Sequence, residues 1–190
     1  MLPFSKLSFW ERSIYTDGID FTIIGAGIVG MSTALHLRRA NPSAKIIILE
    51  RGYLPTGAST KNAGFTCFGS PTELRDDLSK MDERTVWNTV SMRMEGLREL
   101  FSLVNQAHVQ YEACGSWDII REEEESLTPD FIAYLNEKLF EISGEKTVYA
   151  EDKTKWIDAG FSGVKTTYNN RLEGAIHTGR LIEELHRSCT

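Results

Sequence analysis

An α/β fold, α+β over its full length, is predicted for this chain of 190 residues from three observations. An apolar strand, a glycine turn, a helix and a second apolar strand follow one another between Asp20 and Glu50. Amphipathic helical patterns follow residue 70, and short strand-like runs are interleaved with them between residues 111 and 177. No internal repeat and no low-complexity tract interrupts this order.

The first strand is Phe21-Thr22-Ile23-Ile24, and the second is Lys45 to Leu49, with a continuous β-branched core at Ile46-Ile47-Ile48. Such a run is expected of a parallel strand covered on both faces. Between them Gly25-Ala26-Gly27-Ile28-Val29-Gly30 spells GxGxxG, and a helix is predicted from about Ile28 to Ala40. Ile28, Met31 and Leu35 give its apolar stripe, and Asn41-Pro42 stops it. Each part suits a dinucleotide. Gly25 permits the tight turn, Gly27 lets backbone approach a pyrophosphate, and Gly30 lets the helix pack closely on the strands, with small Ala34 one turn later. The helix start at Ile28 offers N–H groups and a positive dipole end to phosphate. Glu50, at the tip of the second strand, can accept from ribose hydroxyls, and its charge repels a 2′-phosphate. NAD or FAD is therefore expected rather than NADP.

Residues 1–18 read as an irregular polar-aromatic lead, with Leu7, Phe9, Trp10 and Tyr15 packing on the domain surface. Residues 51–70 carry four glycines and several hydroxyls without a period. A loop of this length in a compact domain is usually functional; Ser59, Thr60 and Asn62 can donate to phosphate or ring oxygens. Ser70-Pro71-Thr72-Glu73 is a capping box that starts a helix to about Lys80. A longer helix is predicted from Asp82 to Ala107, on the core stripe Val86, Val90, Met94, Leu97, Phe101 and Val104. A strand is expected within Tyr111–Arg121, then a helix capped by Thr128-Pro129, carrying Phe131, Leu135, Leu139 and Ile142, and ended by Gly144. Further short strands are expected at 147–149, 164–168 and 175–177, with a helical turn at 153–159 between the first two. A last helix over 179–187 turns Leu181, Ile182 and Leu185 inward.

Composition bounds the function. Net charge is −6, with 41% hydrophobic and 25% charged residues. This balance speaks against nucleic acid or an anionic membrane surface as the main partner. No apolar run is long enough for a transmembrane segment, and the first residues lack the apolar core of a signal peptide. Cys67, Cys114 and Cys189 are odd in number and far apart, so free thiols in a reducing, cytoplasmic setting are expected. His36, His108, His177 and His186 show no ligand spacing, and no metal site is expected.

Two motifs in order, GAGIVG with Glu50 and then GASTKNAGF, resemble the FAD-dependent oxidoreductases of the D-amino-acid oxidase, glycine oxidase and sarcosine oxidase family. Residues 19–69 are similar to that family's first βαβ unit, a Rossmann-like FAD-binding unit, and the loop after it. CGSWDII resembles the strand that begins the family's mixed-sheet substrate domain, and EGAIHTGRLIEEL the strand and helix that return to the nucleotide domain. The resemblance implies an FAD-binding portion at 1–110, a partial substrate domain at 111–175 and a returning helix at 176–190. It places Gly25, Gly27, Ile28 and Gly30 around the pyrophosphate, Glu50 on the ribose and Arg51 beside the adenine. Ala58, Ser59, Thr60, Asn62, Ala63 and Gly64 would line the pyrophosphate, ribityl and flavin side. Some members hold flavin covalently through a histidine of this loop; Asn62 stands there, so dissociable, non-covalent FAD is implied.

The family's enzymes are about twice this length, and only two strongly apolar parallel-type strands precede residue 80. The N-terminal portion of a longer enzyme is therefore expected, with self-association through exposed apolar surface. The implied chemistry is oxidation of the C–N bond of a small amine or amino acid, the flavin acting as electron sink. A hydroxylase-type FAD monooxygenase and a non-catalytic nucleotide-binding module are the alternatives. No catalytic residue is identifiable. His177, Tyr168 and Arg171 lie in the substrate region but read as structural or exposed, and Cys67 reads as a small buried residue.

Overall fold

The computed structural model describes residues 6–189; the expectation for residues 1–5 lies outside them. The described chain forms seven α-helices and seven strands in two compact units. One unit holds the chain up to Asn62 together with Leu103–Asn105 and the C-terminal helix. The other holds Ala63–Ser102 and Gln106–His177.

In the first unit, α1 (Phe9–Glu11) starts on a Ser8/Glu11 capping box and widens into a π-type segment, Arg12–Thr16. The expected packing of its aromatics is corrected. Trp10 is 73% exposed, and Phe9, Ile14 and Tyr15 are also exposed. Capping and a tether, Lys45 Nζ donating to the Asp17 carbonyl at 2.6 Å, fix the segment without burying these side chains.

β1 (Phe21–Ile24) and β2 (Ile46–Leu49) pair in parallel, in register from Phe21 opposite Ile46 to Ile24 opposite Leu49. α2 (Ile28–Ala40) crosses between them with Met31 and Ala34 buried. Arg38 and Arg39 stand in its last turn, where cations favour the dipole. Arg38 also donates to the carbonyls of Pro42 (2.9 Å) and Ala44 (2.6 Å), closing the turn into β2. The C-terminal helix α7 (Thr178–Cys189) packs on α2 and buries Leu181, Ile182 and Leu185. The expectation that β2 is covered on both faces is corrected. Its isoleucines are half-buried, Leu49 is 52% exposed and Ile24 of β1 is 88% exposed. The reason is architectural: the sheet has two strands, so each strand has an open edge.

The second unit has its own core. α3 (Pro71–Lys80) begins on the predicted capping box, with Ser70 Oγ accepting from Glu73 N–H and Glu73 accepting from Ser70 N–H. α4 (Glu83–Leu103) ends earlier than its stripe suggested. α5 (Pro129–Ser143) is capped by Thr128 and stopped by Gly144 at φ +78°. Phe68, Leu74, Val86, Val90, Met94, Leu135, Leu139, Val148 and Tyr149 form one buried cluster. Each aliphatic side chain sequestered there contributes about 1.5–3 kcal/mol. β4 (Ser116–Arg121), β6 (Val164–Asn170) and β5 (Tyr149–Asp152) form an antiparallel sheet in the order β4-β6-β5. α6 (Lys155–Asp158) packs on β6. Asn136 of α5 accepts from the N–H groups of Val148 and Tyr149 and donates to the Tyr149 carbonyl, tying helix to sheet. A small ladder, β3 (Phe65–Thr66) with β7 (Gly174–Ala175), is antiparallel.

The compact units do not divide at residue 110. α3 and nearly all of α4 join the second unit, because the Val86–Val90–Met94 stripe is buried against Leu135 and Leu139 of α5.

Candidate functional site

The geometry of the glycine turn begins with one close approach. A Cβ at Gly30 would stand 2.0 Å from the Gly25 carbonyl oxygen and 3.3 Å from Ile23 Cγ2, so only hydrogen fits there. Gly25 itself lies at φ +99°, a region open to glycine, and its N–H donates to the Leu49 carbonyl at 2.7 Å. The turn is thus clamped between β1, β2 and the first turn of α2.

Two long-range hydrogen bonds then bring distant residues onto the turn. Glu50 Oε2 accepts from Ala26 N–H at 2.8 Å, while its Oε1 accepts from Gly52 N–H at 3.0 Å. These backbone donors, Ala26 first, hold the carboxyl below the usual carboxylate range, so it is an anion at neutral pH. Each oxygen retains a further lone pair for a hydroxyl donor. Ser59 Oγ accepts from Ile28 N–H at 3.0 Å. Gly27 is the N-cap of α2 and has no side chain to offer, so Ser59, thirty-one residues beyond Ile28, caps the helix instead. A Cβ at Gly27 would come within 2.8 Å of that hydroxyl.

Gly27, Glu50, Arg51, Gly52, Pro55, Thr56, Gly57 and Ser59 line an open cleft of about 160 Å³. The predicted residues Gly25, Ile28 and Gly30 belong to the turn but are not among the residues that line the cleft. Arg51 is exposed on its wall. Thr60 and Asn62 differ from expectation. The Thr60 hydroxyl donates to the carbonyls of Pro55 (3.1 Å) and Gly57 (3.2 Å), and the Asn62 carboxamide donates to the Ala58 carbonyl at 2.9 Å. Both side chains thus fold the loop on itself, with Ala58 exposed at its bend. Ala63 and Gly64 lie in the second unit, where Gly64 is buried and its carbonyl accepts from Ile176 N–H at 2.8 Å. Gly52, Pro55, Thr56 and Gly57 were missed as wall residues. The Pro-Thr-Gly turn signal was present in the sequence but carried no direction towards the cleft.

The remaining candidates resolve individually. Arg171 and His177 are exposed, and buried Tyr168 donates its hydroxyl to the Leu127 carbonyl at 3.3 Å, a structural role. Cys67 is exposed, which corrects the expectation of a buried residue; it follows β3 in the chain, on the opposite side of the strand from buried Thr66 and Phe68. Its thiol is pushed up by partial desolvation and by Glu173 nearby. All three cysteines are free. Among the described residues no helix is long and apolar enough to cross a membrane.

Donors at a helix start, an ionised acid at the neighbouring strand tip and a glycine floor without side chains form the arrangement that dinucleotide phosphates and ribose require. Comparison with known proteins agrees. A family model described as DAO, FAD dependent oxidoreductase, matches residues 20–190. L-2-hydroxyglutarate dehydrogenase, mitochondrial, of Dictyostelium discoideum is 30% identical over 124 residues, which cover 62% of this chain and 25% of that protein. Among solved structures, glycine oxidase from Bacillus cereus ATCC 14579 superposes with a TM-score of 0.58 at 18% identity, over 90% of this chain and 43% of the oxidase. L-proline dehydrogenase from P. horikoshii gives 0.57 at 13%, over 90% and 41%. The chain therefore spans a quarter of the curated relative and about two fifths of these structures. With its matched residues running from Asp20 through α7, this chain belongs to the DAO family of FAD-dependent oxidoreductases.

Proposed function

We propose that the chain is the FAD-binding portion of a flavoprotein that oxidises the C–N bond of a small amine or amino acid. One observation carries the cofactor part of this reading: Glu50 and Ser59 each reach the glycine turn, so both sequence motifs border one cleft. The residues present fit the ADP half of FAD. The absence of a Cβ at Gly27 leaves room in the cleft for a pyrophosphate, and backbone N–H groups of the first turn of α2 offer it donors. Ser59 keeps its hydroxyl proton for a phosphate oxygen while accepting from Ile28 N–H. Glu50 remains an ionised acceptor for ribose hydroxyls, and Arg51 offers a planar cation beside the adenine. Ala58, Thr60 and Asn62 shape the loop, and Ala63 and Gly64 continue it towards the flavin side. Asn62 presents a carboxamide rather than a nucleophilic imidazole, so the FAD is held without a covalent bond.

Bound FAD supplies a two-electron acceptor for a C–H beside an amine, and the protein contributes binding and orientation. A second reading is favoured by the curated relative, whose name specifies a 2-hydroxy acid substrate. Oxidation at a C–H beside a hydroxyl uses the same acceptor. The free thiols suit a reducing compartment such as the cytoplasm, and the exposed Ile24 and Leu49 suit self-association, which light scattering measures.

Titration of the purified chain with FAD is the test. Binding is expected to perturb the visible flavin bands, and denaturation is expected to release all the flavin; flavin retained on denatured protein contradicts the non-covalent reading. Anaerobic bleaching by amino acids supports C–N oxidation, bleaching by 2-hydroxy acids supports the second reading, and NADPH-dependent reduction supports a hydroxylase-type enzyme. No binding at all would return the chain to a module without a flavin.

A further inference from the structure

A second cavity, of about 220 Å³, lies wholly within the second unit. Thr66, the last residue of β3, and Phe68 two residues on are both buried and both line it. Met94, Leu97, Arg98 and Phe101 recur at helical spacing along α4 and turn one stripe to the same space. Tyr111 and Leu172 add further wall. The Tyr111 ring is set in place by its neighbours. Its centroid lies 4.5 Å from that of Phe101. A Cβ at Gly174 would come within 2.9 Å of Tyr111 Cε2 and 3.2 Å of its hydroxyl oxygen. The ring therefore rests against the β7 backbone, where only glycine leaves it room.

The polar groups of this lining differ in how they are used. Ser143 Oγ donates to the Leu139 carbonyl at 2.7 Å and accepts from Glu145 N–H at 3.1 Å, so it is spent at the end of α5. Thr66 is 4% exposed, yet its hydroxyl has no hydrogen-bond partner among the described residues. Buried hydroxyls are normally matched, and two others of this unit are: Thr166 donates to Glu151 and Thr167 to the Asp152 carbonyl. At the mouth, Arg98 and Glu145 are exposed, and neither joins an ion pair among the described residues.

Depth thus sorts the chemistry. An uncommitted hydroxyl lies inside, aromatic and aliphatic walls follow, and a free guanidinium stands at the mouth. The volume falls below the range of about 300–1,000 Å³ typical of drug-sized sites, which limits the occupant to about one ring. Glu145 beside the mouth opposes a second negative charge. We propose that this cavity binds a small aromatic monocarboxylic acid carrying a ring hydroxyl. The ring lies among Phe68, Met94 and Phe101, its hydroxyl pairs with Thr66, and its carboxylate meets Arg98, whose planar fork matches a carboxylate.

The test titrates the full chain, by calorimetry and by amide NMR, with three probes. The first, para-hydroxyphenylacetate, carries both polar ends; phenylacetate lacks the ring hydroxyl, and para-hydroxyphenylethanol lacks the charge. The first is expected to bind with a dissociation constant of about 1 mM or tighter, the scale of a ligand this small, and to shift the amides of Thr66, Phe68 and Leu97. Losing the ring hydroxyl should weaken binding by about fivefold, and losing the charge by about tenfold. Thr66→Val, which keeps the shape of the side chain, should erase the first difference and keep the second; Arg98→Gln should do the reverse. If Thr66→Val fails to fold, the order of the probes on wild type set against Arg98→Gln carries the test. No binding at about 10 mM, equal affinity for all three probes, or shifts confined to the glycine-turn cleft at Gly27, Glu50 and Ser59 would overturn the site. No step needs FAD, so the result stands apart from the flavin reading.

Discussion

β2 reads Ile46-Ile47-Ile48-Leu49, yet none of its residues is fully buried and Leu49 is exposed. β6 reads Val164-Lys165-Thr166-Thr167-Tyr168-Asn169-Asn170, and five of its seven residues are buried. The apolar strand lies open and the polar strand lies inside. The difference shows that burial follows a strand's place in its sheet. β6 is central between β4 and β5, whereas β1 and β2 are both edges. Three of the polar side chains on β6 are satisfied: Thr166 donates to Glu151, Thr167 to the Asp152 carbonyl and Tyr168 to the Leu127 carbonyl, whereas the buried Asn170 Nδ2 has no partner among the described residues.

The largest expected effect follows from this contrast. Leu139→Ala, in the core of the second unit, should cost about 2–5 kcal/mol in chemical denaturation. Leu49→Ala, though it removes the same atoms, should stay within about 0.5 kcal/mol. Equal costs would break the comparison.

Gly30→Ala tests the first unit where its geometry is tightest. The added methyl meets the Gly25 carbonyl, so the turn must shift at a cost of about 1–3 kcal/mol. FAD affinity should fall with it while the denaturation of the Leu139 core is unchanged; unchanged affinity would mean that the turn does not touch the cofactor. Ser59→Ala is expected to do less. It leaves the start of α2 without its borrowed cap, at about 1 kcal/mol, read as a modest rise in the FAD dissociation constant and faster exchange of the Ile28 amide.

The smallest effect separates the units by pH. Glu50 is held below the usual carboxylate range by the Ala26 and Gly52 N–H groups. Its contribution is present above its unfolded value and lost as pH falls through the lower folded one. Glu173 is pushed up by burial, so its contribution is present below its unfolded value and lost as pH rises through the folded one. Glu50→Gln should therefore flatten the acid limb of the stability profile, and Glu173→Gln the limb above the ordinary carboxylate range. The same limb responding to both would remove the distinction.

What the sequence disclosed was local. The helix Ile28–Ala40, the capping box at Ser70 and the helix between Thr128 and Gly144 rest on signals within a few residues of one another, and each stands in the structure. The strand expected within 111–121 begins only at Ser116, because Gly115 at φ +72° turns the chain where a Cβ would press on the Asn170 carbonyl. The strand expected at 147–149 moves on to Tyr149–Asp152. The site divides in the same way. Gly27 and Glu50, which line the cleft, belong to a motif that the sequence displays. The direction of Thr60 and Asn62 was not, since a hydroxyl or carboxamide in a loop finds the nearest carbonyl as readily as a ligand. Glu173 left no trace in pattern, its partners Phe68 and Ser116 being 105 and 57 residues away.

The central claim is that Glu50 and the glycine turn grip the ADP half of FAD. The most direct measurement is the FAD dissociation constant of wild type against Glu50→Gln, at neutral pH, in protein of unchanged fold. Loss of an ionised acceptor for the ribose hydroxyls should weaken binding by about tenfold or more. Equal affinity in the two proteins would contradict the claim and place the cofactor, if it binds at all, elsewhere.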